Sequence, residues 1–297
     1  VYEGQTSFWD LVIAGRSGMQ SKEMILAEWA TNAANYSVQA GRDWRSVEDT
    51  GMDPVFAARK AKPYPSLSRS EDYYTEGALV WLEADQIIRR GTQGRKSIDD
   101  FAKAFFGMRD GDWGELTFEQ ADVAATLNAV YPYEWAGFLR TRLDTPGQPA
   151  PVGGITLGGY KLVWKEEPNP HDKQRMSETR VLNLTYSLGI SLDKDARVTA
   201  TQWDSPAFNA GVVNGSRLIA VNGTAYSADD LKAAIMAAKG GAPLDLLIQR
   251  GERFQTVRLD YKAGLRWPWL ERAATGAGMT GLEALLYPRR LTMAKGK

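Results

Sequence analysis

The chain has 297 residues, no cysteine and a single histidine, which excludes a disulfide scaffold, a thiolate zinc site, a cysteine nucleophile and any metal site built on two of its own histidines. Lys and Arg total 36, as do Asp and Glu, so the basic excess expected of a nucleic-acid-binding protein is missing. A hydrophobic share of 43% against 24% charged belongs to a folded protein, and the length suits about two domains, each with its own core.

The chain opens on Val1 rather than Met and runs straight into a helical pattern with no capping residue ahead of it, which reads as a piece of a longer protein. Placed on a helix, Glu3, Thr6, Ser7 and Asp10 share one side, while Phe8, Leu11 and Val12 lie on another. The stripe alone describes an ordinary solvated helix face. Ser21 is positioned to cap a helix carrying Ile25, Trp29, Ala33 and Tyr36 at helical spacing. Glu71 and Asp72 precede a long helical run through Trp81, Leu82 and Ile88, which Arg89, Arg90 and Gly91 close. Ser97 with Asp100, and Thr117 with Gln120, resemble capping boxes, and Pro132 ends the second of these helices. Residues 1–143 therefore read as a helical subdomain, in which Trp29, Trp81 and Phe105 are core residues.

Between Asp144 and Pro151 the composition turns to Pro, Gly and Gln, which marks a junction. Residues 144–179 read as a linker with a strand at Gly159–Trp164 and an exposed connection over Glu166–Gln174, where His171 is a surface residue rather than a metal ligand. Short β-rich runs follow at 188–192, 197–201, 218–221, 244–249 and 256–261, with one helix at 228–239, so that 180–262 forms a small α+β domain. The tail, 263–297, packs back on the domains because Trp267 and Trp269 would otherwise leave an apolar patch. The fold class is multidomain, α plus α+β.

The second domain resembles a PDZ domain. Ser187-Leu188-Gly189-Ile190 is similar to that family's carboxylate-binding loop, Ser205-Pro206-Ala207 with Ala210-Gly211-Val212 to its following turn and short helix, and Leu218 to Gly223 to its next strand and turn; Gly215-Ser216 stands where the family usually has Gly-Asp. The resemblance implies capture of a peptide C-terminus, in which backbone N–H groups receive the carboxylate while the peptide adds to an unpaired strand. The alternative is that the domain only packs against its neighbour, with the groove empty or filled in cis.

The first domain carries two shorter signals. Tyr2-Glu3-Gly4-Gln5-Thr6 resembles the segment after the H-E-x-x-H helix of gluzincin metallopeptidases, which implies that Glu3 is the third protein ligand of a catalytic zinc. Tyr73-Tyr74-Thr75-Glu76-Gly77-Ala78-Leu79 is similar to the downstream tyrosine motif of that clan, in which a Tyr three residues before a Gly hydrogen-bonds the reacting carbonyl. This implies a catalytic Tyr74, with Tyr73 its neighbouring rival. Followed by a PDZ-like domain and the segments Gly264-Leu265-Arg266-Trp267-Pro268 and Tyr287-Pro288-Arg289, the succession resembles the glycyl aminopeptidase family over nearly the whole chain.

The resemblance implies the C-terminal portion of a zinc metallo-aminopeptidase, a hydrolase releasing small N-terminal residues such as Gly or Ala from peptides. One zinc ion serves the complete enzyme. The upstream part would supply both histidines, the general-base Glu and the groups that bind the free amine, so this chain by itself would lack zinc and be inactive. The rival expectation is a non-catalytic interaction protein whose PDZ-type domain gathers peptide termini. No apolar run reaches the roughly 20 residues of a membrane span, and no signal peptide opens the sequence. The compartment stays open: a chain without cysteine suits the cytoplasm and the periplasm equally, and the resemblance suits an exported enzyme.

Overall fold

The structure, a computed structural model, describes residues 1–56, 64–109, 111–274 and 278–288. Arg289 of the C-terminal motif and the tail from 289 to 297 lie outside the described residues. Helix α1 (Tyr2–Ser17) starts from Val1 without a side-chain cap and closes at Gly18, whose φ of 79° is a left-handed conformation that glycine adopts freely. Phe8, Leu11 and Val12 are buried and Thr6 and Asp10 are exposed, so the stripe divides core from solvent. Helix α2 (Lys22–Ser37) is capped by the Ser21 hydroxyl, which accepts the Met24 N–H at 3.1 Å. Its apolar face buries Ile25, Trp29 and Ala33 completely.

A 3-10 turn (Ala40–Asp43) and the one-turn helices α3 (Val47–Thr50), α4 (Asp53–Phe56) and α5 (Pro65–Ser68) lead to α6 (Thr75–Gly91). Helix α6 is the axis of the first lobe, buried along most of its length and in contact with α1, α2 and α7 (Ile98–Phe106). Ser97 and Asp100 form the reciprocal capping box of α7. Helix α8 (Gln120–Val130) is instead boxed by Glu119 and Asp122. The extended backbone that a cap requires falls at Glu119, so Thr117 is left in the irregular stretch before it. Helices α9 (Trp135–Leu143) and α10 (Gly153–Leu157) complete this part of the chain.

Strand β1 (Tyr160–Lys165) pairs antiparallel with β9 (Trp267–Arg272), from Tyr160 opposite Arg272 to Lys165 opposite Trp267. Between β1 and the second lobe lies α11 (Pro170–Thr179), where sequence reading expected an exposed connection. The reason is local: the Asn169 side chain accepts the Asp172 N–H at 2.8 Å and Pro170 sits at the first helical position, where proline is favoured. His171 is consequently half-buried on this helix, 3.5 Å from Glu28, and desolvation pushes its imidazole below the ordinary pKa.

The second lobe has two antiparallel sheets. The first has the order β2 (Leu182–Leu184), β3 (Ile190–Leu192), β4 (Val198–Thr201). After α12 (Pro206–Asn209), the second is built from β5 (Arg217–Val221), β6 (Thr224–Ala225), β7 (Asp245–Arg250) and β8 (Arg253–Arg258) in the order β6-β5-β7-β8, with α13 (Ala228–Ala238) between β6 and β7. Strand β8 begins earlier than the apolar run at 256–261 suggests, because the β7–β8 hairpin turns at Gly251 and Glu252 and pairs Arg250 with Arg253. Leu188, Leu192, Leu231, Ile235 and Leu246 form this lobe's core. Helix α14 (Gly281–Leu286) returns to the first core, where Leu282, Leu285 and Leu286 are buried.

A buried polar network joins the lobes. Asp172 accepts hydrogen bonds from the Thr31 hydroxyl and the Asn169 amide, both at 3.0 Å, and the Asn169 amide also reaches Pro268 O at 2.8 Å. Burial outweighs these bonds and pushes the Asp172 carboxyl up to about 6. Asp72, in the first lobe, is likewise pushed up to about 6 by burial. A raised acid stabilises the fold fully below its unfolded pKa of 3.8, and that contribution is lost as pH rises through about 6. Asp172→Asn is therefore expected to remove roughly 2–3 kcal/mol of the loss in stability between about pH 4 and pH 7. Urea unfolding across that range reads this, and a profile parallel to the parent's rejects it.

Candidate active site

Helices α1 and α6 cross at two glycines. A β-carbon built on Gly4 would lie 2.5 Å from Gly77 Cα, and one built on Gly77 would lie 2.7 Å from Gly4 Cα. The helices therefore meet backbone to backbone, an approach that only glycine at both positions permits. Trp81 adds a hydrogen bond from its indole N–H to Val1 O at 3.1 Å. Each glycine belongs to one of the two short motifs. The crossing thus brings Glu3, one residue before Gly4, to the same end of the helix pair as Tyr73 and Tyr74, just ahead of Gly77.

A cavity of about 460 Å³ opens there, and both Glu3 and Tyr73 line it. Glu48, Gln120, Leu143 and Asp144 form other parts of its wall. The Tyr73 and Tyr74 rings lie 4.7 Å apart at an interplanar angle of 39°. Partial desolvation, then the Glu71 carboxylate and the neighbouring Tyr74, hold the Tyr73 phenol above its ordinary pKa, and Glu3 adds to the effect. Tyr73 accordingly keeps its proton as a hydrogen-bond donor at neutral pH. Tyr74 is the N-cap of α6 and half-buried, and of the two tyrosines it is Tyr73, not Tyr74, that lines the cavity.

The segment before the tyrosines is held from below by buried charge. Arg69 donates from Nε to Asp72 at 2.6 Å, from Nη1 to Arg45 O at 2.6 Å, and from Nη2 to Glu76. Arg42 Nη1 meets the other Glu76 oxygen at 2.5 Å. Arg69, Asp72 and Glu76 are all buried. Arg69 and Glu71 adopt left-handed φ angles of 49° and 51°, unfavourable for side chains with a Cβ, and such residues persist only where the surroundings over-determine them.

Ser187, Leu188, Gly189 and Ile190 lie in the other lobe, and none of them lines this cavity. The N–H groups of Ser187 and Gly189 both donate to Leu184 O, at 3.1 and 3.0 Å, and the Ser187 hydroxyl accepts the Arg266 N–H at 3.0 Å. Strand β3 is flanked by β2 on one edge and β4 on the other. Both edges of β3 are thus paired within the chain.

Sequence reading did not find Glu48, Gln120 or Asp144. They reach the cavity from separate elements with no shared spacing to mark them. Among the described residues no group of three or more His, Cys, Asp or Glu is arranged to hold a metal ion. Glu3 can thus be one ligand of a set, not a site.

With this geometry in view, comparison with known proteins is informative. Residues 1–80 match the family model of M61 glycyl aminopeptidase. That span contains both glycines of the helix crossing, Glu3 and the tyrosine pair. A crystal structure of an aminopeptidase N family protein from Idiomarina loihiensis shares the fold, with a TM-score of 0.69 at 18% identity over 97% of this chain. The chain spans 48% of the length of that structure. No curated protein matches the chain significantly. Among the described residues no helix is long and apolar enough to cross a membrane.

Proposed function

We propose that this chain is the C-terminal portion of a zinc metallo-aminopeptidase of the gluzincin type, acting on peptides with small N-terminal residues such as Gly or Ala. The observation that carries the reading is the shared cavity: Glu3 and Tyr73, from two motifs far apart in sequence, line it beside the Gly4–Gly77 crossing, and the Tyr74 ring packs against Tyr73. Glu3 fits as a single carboxylate ligand, and two further ligands come from outside this chain. A zinc ion bound there supplies an acidified water and a polarised carbonyl. The chain's own work is to hold one ligand position through α1 and to aim a phenolic O–H at the oxygen on which charge develops during attack. Without the H-E-x-x-H helix the chain is inactive.

The rival, a PDZ-type collector of peptide termini, needs a free strand edge beside Ser187–Ile190. Pairing of β3 on both edges means that β2 must leave before a peptide C-terminus can add there. The test is zinc content and glycyl anilide hydrolysis by the full-length protein. Glu3→Gln is expected to lower both, hydrolysis by about 100-fold or more, since even groups that only support a ligand cost 10- to 100-fold. Full-length protein that holds no zinc and cleaves no anilide, or a Glu3→Gln variant with both intact, rejects the reading.

A further inference from the structure

Two of the contacts between the second lobe and the first lead to the tyrosine pair. At one, the Trp203 backbone N–H donates to the Ser66 hydroxyl at 2.8 Å. Trp203, Phe208 and Tyr64 form an aromatic cluster: the Tyr64 ring stands edge-on to Trp203 at 5.6 Å and to Phe208 at 5.8 Å, and Trp203 and Phe208 are 4.7 Å apart. Tyr64 and Ser66 open α5, and the chain then passes through the two left-handed residues Arg69 and Glu71 into Tyr73 and Tyr74. At the other, the Tyr186 hydroxyl donates to Asn35 at 2.5 Å. The next residue on α2, Tyr36, is buried, and its phenol lies beside Thr75, directly after Tyr74.

From this convergence we propose that the second lobe is a buttress for the tyrosine pair, with Trp203 and Tyr186 as positioning residues that act through Tyr64–Ser66 on one side and Asn35–Tyr36–Thr75 on the other. A backbone with two unfavourable φ angles in three residues relaxes when a support is removed. The buried ions hold this segment from within the first lobe, and the aromatic cluster with the Ser66 bond holds it from the second. A catalytic consequence rests on the proposed peptidase reading; the mechanical consequence does not.

Hydrogen exchange followed by mass spectrometry on the full-length protein tests the mechanical part. Trp203→Ala is expected to speed amide exchange over residues 64–76 by about 10-fold or more while α13 and β7 keep the parent's rates. Trp203→Phe, which retains an aromatic ring, restores protection. In the active enzyme Trp203→Ala lowers kcat by about 10-fold with KM and zinc content nearly unchanged, as expected when a reacting group is displaced but the binding groups stay in place. Tyr186→Phe removes one hydroxyl without opening a cavity and serves if Trp203→Ala does not fold; it speeds exchange at Thr75–Gly77. Unchanged exchange in these segments, or exchange accelerated equally throughout both lobes, overturns the buttress. Faster local exchange with an unchanged kcat overturns the positioning role. A parent protein without peptidase activity defeats the reading of the reaction alone, and the exchange data then decide the buttress.

Discussion

Glu76→Gln is expected to lower the unfolding free energy by about 3–5 kcal/mol, the range found when one partner of a buried ion pair is removed and the other charge is left behind. Glu76 is 2% exposed and is shared by two guanidinium groups, those of Arg69 and Arg42, which are 2% and 5% exposed. A glutamine keeps the shape but offers one acceptor and no charge, so two cations remain in a pocket where Asp72 is the nearest carboxyl. Asp72 partly compensates. Burial is the main cause of its elevated pKa, but the Glu76 charge raises it further, so removing Glu76 lets Asp72 ionise more readily beside Arg69. The loss is therefore expected to be larger at pH 5 than at pH 8, a dependence that a simple packing defect would not show. Urea midpoints at the two pH values measure it. A loss under about 1 kcal/mol at both would mean that the cluster behaves like a surface pair.

The same cluster shows what local sequence can and cannot reveal. Ser21, Ser97 and Asp100 act within one helical turn, so their caps are visible in the sequence, and the Glu-Gly steps at 3–4 and 76–77 stand out as motifs. What makes those steps meaningful is the missing Cβ on each side of one crossing, a relation between two helices that neither stretch contains. Arg42, Arg69 and Glu76 have no periodicity in common, and read singly each is a charge on a solvated face. Asn169-Pro170-His171-Asp172 is a different case: the cap, the proline at the first helical position and the first-turn acid were all present, but two nearby prolines suggested a connection. Short strands such as β2 and β9 depend on partners distant in sequence. The three residues of β2 form a strand because β3 pairs with them.

Tyr74→Phe and Tyr73→Phe, compared in the full-length enzyme, decide which phenol serves the reaction. The motif favours Tyr74, three residues before Gly77; the cavity wall favours Tyr73. Loss of a hydrogen bond aimed at a developing oxyanion costs about 100- to 1,000-fold in kcat, whereas loss of a group that only orients such a donor costs nearer 10-fold. Because the two rings pack against each other at 4.7 Å, each variant also disturbs its neighbour, and the double variant should cost less than the product of the single effects. Tyr74→Phe is expected to give the larger loss with zinc content unchanged, since Glu3 is held by α1 and not by the phenols. If Tyr73→Phe gives the larger loss, the donor is the residue on the cavity wall, and the register read from the motif is off by one. If neither variant loses more than about 3-fold, the ring pair is packing and the phenol has no place in the chemistry, because even the lesser role of orienting a donor predicts more than that.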